Sequence, residues 1–158
     1  MYKVGSGFDI HKLIKDKELV IGGVLIPSDK GFLAHSDGDI VVHALCDALL
    51  GAMGLKDIGT YFPDNDNKWK QCSSISKILP EVMLKVKEHK WKIQNIDINI
   101  IIDKPKMAPY IDKIKESLDK VLNIGTENIS IKAKRTEECI FPPDKEAAIA
   151  MVTLLLEK

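Results

Sequence analysis

Two short stretches of this chain bring metal-binding side chains together. Asp9 and His11 stand two residues apart in Gly5-Ser6-Gly7-Phe8-Asp9-Ile10-His11. In an extended strand that spacing puts both side chains on one face. The second stretch is His35-Ser36-Asp37-Gly38-Asp39-Ile40-Val41-Val42-His43-Ala44-Leu45-Cys46-Asp47. Asp39, His43 and Asp47 are spaced i, i+4, i+8, which on a helix makes one narrow polar stripe. Such a stripe on an otherwise apolar helix costs desolvation unless something compensates it. Asp9, His11 and His43 together offer one oxygen and two nitrogens. Three protein ligands with a fourth position open is the pattern of a catalytic zinc. Two histidines and a carboxylate suit non-haem iron as well, so ligand type leaves the metal open. In this reading Asp39 and Asp47 orient His43 from behind.

Three further segments carry charge at spacings that matter. Gly54 to Asp66 is a loop of acids and turn glycines that includes Asp57, Gly59 and Asp64. Ile102-Asp103-Lys104-Pro105-Lys106-Met107 ends a strand in a proline-stiffened turn. Lys132-Ala133-Lys134-Arg135-Thr136-Glu137-Glu138 gathers three cations, a hydroxyl and two acids. A basic cluster beside an acid has the chemistry to hold a polyphosphate and its divalent ion.

Elements must position these groups. Tyr2–Asp9 reads as an opening strand, and Leu19 to Ile26 as a hairpin around Gly22-Gly23. Val42, Leu45, Leu49 and Met53 recur at helical spacing, predicting a helix over Asp39–Met53 capped by Ser36 or Asp37. Asp57–Lys70 reads as a polar surface loop. Ser73–Lys90 is helical by period, with Pro80 forcing a kink or a later start. Ile96, Ile98, Ile100 and Ile102 alternate as a strand. Ile111 to Leu122 is a third helix, and Ile129–Ala133 another strand. Ala147–Leu156 fits strand or helix. Strands alternating with helices argue for an α/β layer structure.

The 158 residues are 45% hydrophobic, enough for a real core and too much for a disordered chain. Lys plus Arg equals Asp plus Glu at 23 each, so no global field draws the chain to nucleic acid or an anionic membrane. Arg135 is the one arginine, which leaves anion binding mostly to lysine point charges. No apolar run approaches the length of a membrane span. Cys46, Cys72 and Cys139 are odd in number and far apart, suggesting neither a disulfide scaffold nor a cysteine zinc cluster. A cytoplasmic location is expected, with a removed transit segment the alternative.

These residues taken together resemble the 2-C-methyl-D-erythritol 2,4-cyclodiphosphate synthase family. The features are the Gly-x-Gly-Phe-Asp-x-His start and His35-Ser36-Asp37-Gly38-Asp39 running into His43-Ala44 and Asp47 to Ala52. Asp57-Ile58-Gly59, Phe62-Pro63-Asp64, Pro105-Lys106-Met107 and Lys132 to Glu137 follow in the family's order. The match runs over nearly the whole chain. The resemblance implies one domain over residues 1–158, of α/β (α+β) class. It has a mixed β-sheet with helices on one face and assembles as a homotrimer with active sites between subunits. The implied reaction turns 4-diphosphocytidyl-2-C-methyl-D-erythritol 2-phosphate into the 2,4-cyclodiphosphate and CMP, a step of the non-mevalonate route to isoprenoids.

By motif match, the resemblance makes Asp9, His11 and His43 the zinc ligands. Glu137 matches the acid that holds magnesium or manganese between the phosphates. His35 and Ser36 match phosphate and substrate contacts, and Asp57 and Gly59 the contacts to the ribose or the erythritol hydroxyls, with the erythritol favoured. Ile102, Lys106 and Met107 match the cytosine pocket, and Lys134 and Arg135 the phosphate grip. Two positions depart from the family. Arg135 stands where a hydroxyl residue is usual. Asp144 stands where the family carries an arginine near the trimer axis. An aspartate there is expected to repel isoprenoid diphosphates, so binding of such effectors is expected to be weak or absent. Two other readings use the same residues: another metal enzyme (an iron oxygenase or a phosphohydrolase), or a non-catalytic nucleotide-binding scaffold.

Overall fold

The computed structural model describes residues 1–142 and 145–158. Asp144 lies outside them. Strands β1 (Tyr2–Lys15), β4 (Lys30–Phe32), β5 (Lys92–Ile101), β6 (Ile129–Lys134) and β7 (Ala147–Glu157) form one sheet in the order β4-β1-β7-β5-β6. All neighbours are antiparallel except β5 and β6, so the sheet is mixed. Between β1 and β4, the strands β2 (Leu19–Ile21) and β3 (Val24–Ile26) make the expected hairpin. Gly22 and Gly23 at its turn both have positive φ, 57° and 75°, as a primed turn requires.

Helices α1 (Ile40–Ala52), α3 (Leu79–Glu88) and α4 (Ile111–Leu122) supply the apolar layer, and α2 (Ile58–Tyr61) is a single turn. The central helix α1 packs on β1 and β7 with ten of its residues buried. On β1 the alternation puts Gly5, Gly7, Asp9, His11 and Leu13 on the α1 side. Val4, Phe8 and Ile10 point the other way and are exposed, as is Met151 of β7. A side chain at Gly5 or Gly7 has no room. A Cβ there would sit 2.0 Å from the Ala48 carbonyl oxygen or 1.8 Å from that of Ala44. Strand and helix therefore meet backbone to backbone.

Several elements differ from the sequence reading. β1 runs on to Lys15, because its pairing with β7 continues to Lys12 and β4 takes over from Leu13 to Lys15. Ala147–Leu156 resolves as a strand because it is the central one, pairing with β1 on one side and β5 on the other. The α1 N-cap is Asp39, neither Ser36 nor Asp37; its side chain accepts from Val42 N. Pro80 sits in the first turn of α3, where it removes no needed N–H, and a π-helical turn over Ser74–Ile78 leads into it. The 57–70 loop is not wholly solvated. It carries α2 and a 3-10 turn at Asn67–Trp69, and Phe62 and Trp69 pack edge to face with centroids 4.8 Å apart, both buried.

Candidate active site

Asp9 and His11 reach off β1, and His43 off α1, into one cleft. Each offers a ligand atom, and the three atoms lie within 4.8 Å of one another. His43 Nδ1 is 3.1 Å from Asp9 Oδ2, and His11 Nδ1 is 3.0 Å from the same oxygen. The His11 contact does not have the geometry of an N–H···O bond, so this buried nitrogen is left without a hydrogen-bond partner. Two imidazole nitrogens crowding one carboxylate oxygen, one of them orphaned, is a donor set that fits a small cation. Among the described residues this is the only such cluster.

The electrostatics agree. Burial pushes Asp9 upward, but the neighbouring imidazoles of His11 and His43 outweigh it and hold the carboxyl at about 2. Burial pushes His43 downward, but the hydrogen bond and charge of Asp9, with Asp39 and Asp37 behind, raise it above its usual value. A proton on His43 does for Asp9 what a metal ion would do.

The cleft is a cavity of about 310 Å³. His35, Ser36 and Gly59 line it with the triad, as do Asp64, Phe62 and Trp69. Ser36 Oγ lies 3.2 Å from His43 Nε2, and His35 Nε2 lies 3.4 Å from the Asp66 carbonyl. Asp57 sits beside the cleft rather than in its lining. It is exposed and caps α2, accepting from Thr60 N at 2.9 Å and Thr60 Oγ1 at 2.8 Å, bonds that hold its carboxyl below its usual value.

The orienting role expected of Asp39 and Asp47 is not what the structure has. Asp39, fully buried, accepts from Gly22 N at 2.8 Å, Gly23 N at 2.6 Å and Val42 N at 3.1 Å. It ties the hairpin turn to the start of α1. Burial and the nearby Asp37 push its carboxyl up to about 6 against those N–H bonds. Asp47 accepts from Ile58 N at 2.7 Å and so anchors α2. The residue behind His43 is Ser74, whose Oγ is 2.9 Å from Nε2. Sequence reasoning passed it over as the start of a helix. The one signal was a hydroxyl pair, Ser73-Ser74, ahead of an apolar-periodic run.

The remaining predicted residues gather elsewhere. Ile102, Lys106, Met107, Lys134 and Arg135 line a cavity of about 200 Å³ at the ends of β5 and β6. Ile102 and Met107 are buried there. A neighbouring cavity of about 660 Å³ adds Glu137 to Lys106 and Arg135. Asp103 shapes both, accepting from Thr136 N at 2.8 Å and Thr136 Oγ1 at 2.6 Å. That clamp precedes Glu137 and Glu138, which both take the left-handed conformation with φ of 51° and 57°. Neither Asp103 nor Thr136 was singled out in the sequence as a site residue. Within one chain the triad cavity and the Glu137 cavity share no lining residue.

Sheet, helices and donor cluster define a single-domain α/β protein of the metal-dependent enzyme kind. The chain belongs to the YgbB family, whose model matches residues 2–157. It is 44% identical over 158 residues to a protein of Fusobacterium nucleatum named 2-C-methyl-D-erythritol 2,4-cyclodiphosphate synthase, covering 100% of this chain and 98% of that one. A protein of the same name from Vibrio vulnificus is 45% identical, with 100% and 99% covered. Among solved structures, a synthase of that name in a CDP-bound form superposes with a TM-score of 0.89 at 35% identity, over 98% of this chain and 100% of that one. The Plasmodium falciparum relative, described as a CDP complex, gives 0.83 at 36% identity over 98% and 95%. The family resemblance read from the motifs and the mixed α/β fold it implied are both borne out. Among the described residues no helix is long and apolar enough to cross a membrane.

Proposed function

We propose that this protein converts 4-diphosphocytidyl-2-C-methyl-D-erythritol 2-phosphate to 2-C-methyl-D-erythritol 2,4-cyclodiphosphate and CMP. The observation that carries this reading is the convergence of Asp9, His11 and His43 in a cleft shared with His35, Ser36 and Gly59. An oxygen of the 2-phosphate forms a bond to the β-phosphorus. The bond from that phosphorus to the oxygen bridging the α-phosphate breaks, and CMP leaves with the electron pair. The attacking phosphate has a second pKa near ~6, so it is largely dianionic at neutral pH and needs no strong base. This agrees with a site that offers positioning groups and no nucleophile.

Asp9, His11 and His43 hold Zn²⁺, and Glu137 holds Mg²⁺ or Mn²⁺. Bound there, the two ions supply positive charge against a crowded diphosphate. The chain does the rest. His35 and Ser36 contact the phosphates at the triad. Asp57 and Gly59 hold the erythritol hydroxyls. Ile102, Lys106 and Met107 enclose the cytosine, and Lys134 and Arg135 grip the nucleotide phosphates. Fixing both ends of one substrate turns the step into an intramolecular closure.

The assembly is a homotrimer. The triad cavity and the nucleotide cavities share no lining residue in a single chain, which supports a substrate held between two copies. The exposed apolar residues Val4, Phe8, Ile10 and Met151 on the helix-free side of the sheet offer a surface for that contact. The three cysteines are all free thiols, which suits a reducing cytoplasm.

The test is phosphorus NMR of the purified chain with substrate, zinc and magnesium. Cyclic diphosphate formed in step with CMP is the expected result. A linear product or free phosphate would make it a hydrolase, and no turnover with both metals present would end the proposal. Sedimentation of the same sample reads the trimer.

A further inference from the structure

Ser74 is fully buried, yet it is a polar residue with several partners. It opens the π-helical turn at Ser74–Ile78, where backbone N–H groups lack helical acceptors. Its N–H donates to Asp37 Oδ2 at 2.9 Å. Its hydroxyl donates to Asp37 Oδ1 in the shortest of its contacts. The same Oδ1 accepts from Asp39 N at 3.2 Å, so Asp37 takes three donors. A hydroxyl has one proton, and a carboxylate only accepts. With that proton given to Asp37, Ser74 Oγ turns a lone pair to His43 Nε2, 2.9 Å away. A bare Nε2 there would set lone pair against lone pair. A protonated Nε2 donates to Ser74 Oγ, with Ser36 Oγ at 3.2 Å as a weaker second acceptor.

We propose that Asp37 and Ser74 form a directed hydrogen-bond relay that holds the His43 ring with its proton on Nε2, so that Nδ1 is the atom presented to Asp9 and His11. This rests on the reading of that triad as a metal site. Both are positioning residues: neither is a ligand, and they act through His43. The relay sits on the side of the ring away from Asp9. His11 has no counterpart to it among the described residues, since its Nδ1 is orphaned and no hydrogen bond is made by its other nitrogen.

The experiment measures zinc affinity of the whole chain by chelator competition, with no substrate present. Ser74→Ala removes the acceptor, and Asp37→Asn lets an amide N–H turn the Ser74 proton toward His43. Each is expected to weaken zinc binding by ~10–100-fold. The double variant is expected to match Ser74→Ala within about threefold, because one chain of bonds is cut only once. Ser74→Thr, which keeps the hydroxyl, restores affinity. In the zinc-loaded wild type, proton NMR should show a slowly exchanging His43 Nε2–H that shifts in Ser74→Ala. Should Ser74→Ala fail to fold, Asp37→Asn and the wild-type resonance decide. Unchanged affinity in both single variants, or losses that simply add, would overturn the relay. A wild-type chain that binds no zinc, or a His43→Ala variant that binds it as well, would instead overturn the triad reading beneath it.

Discussion

Asp37 and Asp103 do the same job in two separate regions of the molecule. Each carboxylate grips a distant hydroxyl residue at two points, its N–H and its side chain: Ser74 in one case, Thr136 in the other. What surrounds the grips differs. Around Asp37 the groups stand on regular elements, Asp9 and His11 on β1 and His43 on α1, against a packed core. Around Asp103 they stand at strand ends, and Lys106, Lys134, Arg135 and Glu137 are all exposed. The first region fixes its side chains by packing and needs only fine direction. The second packs only Ile102, Met107 and Thr136 beneath exposed charged groups, and the clamp itself sets the chain path into the left-handed Glu137 and Glu138. Damage should therefore show as lost chemistry in the first region and as lost binding in the second.

The hardest test of that contrast is His43→Ala. Loss of metal and of at least ~10³-fold in turnover is expected, on the scale of losing preorganised charge stabilisation. Circular dichroism should stay native. Metal content and CMP release check it, and retained turnover would contradict the role given to the first region.

A smaller effect follows from Asp9. Its folded pKa of about 2 lies below the unfolded value of 3.8, so its ion pairing stabilises the fold above pH ~4 and is lost as pH falls through ~2. The size is about 2 kcal/mol, read by urea denaturation of metal-free protein across that window. His43 works in the other direction. Its raised pKa adds stability below 6.5 that is lost as pH rises through the folded value. Added zinc should abolish that alkaline-side loss. Asp39 runs with His43 and against Asp9: its carboxyl, pushed up to about 6, carries a penalty that is absent below pH 3.8 and grows as pH rises to about 6. Comparison with Asp39→Asn separates that contribution.

Thr136→Val probes the second region and should do least to the fold. One point of the clamp goes, at about 1 kcal/mol of stability, and Asp103 is exposed enough to bond water instead. Affinity for a cytidine nucleotide should fall about tenfold by calorimetry while zinc affinity stays unchanged; Thr136→Ser should recover it. A zinc loss equal to the nucleotide loss would show that the two regions are not separable.

The same contrast explains what could be read in advance. The triad was legible because Asp9 and His11 share a strand face by a period of two, and His43 lies on a strongly patterned helix. The hairpin was legible from Gly22-Gly23, and α4 from its apolar stripe. Asp39 and Asp47 misled because helical spacing says which residues share a face and nothing of what lies across from it; their partners came from the Gly22-Gly23 turn and from Ile58. The roles of Ser74 and Thr136 were not legible for a related reason. Each is defined by a carboxylate more than thirty residues away, at 37 and 33 positions respectively. The ambiguous last segment needed its two neighbours in the sheet before it could be a strand.

Gly5 and Gly7 have a consequence beyond close packing. Asp9 and His43 belong to different elements, and the gap between those elements is what spaces the ligand atoms. Bare backbone against the carbonyls of Ala44 and Ala48 acts as the gauge block for that gap. One added methyl would wedge strand from helix and widen the bite of the triad, though it would touch neither metal nor substrate. A search for inactivating substitutions confined to groups that reach the reactants would pass over the two positions that calibrate them.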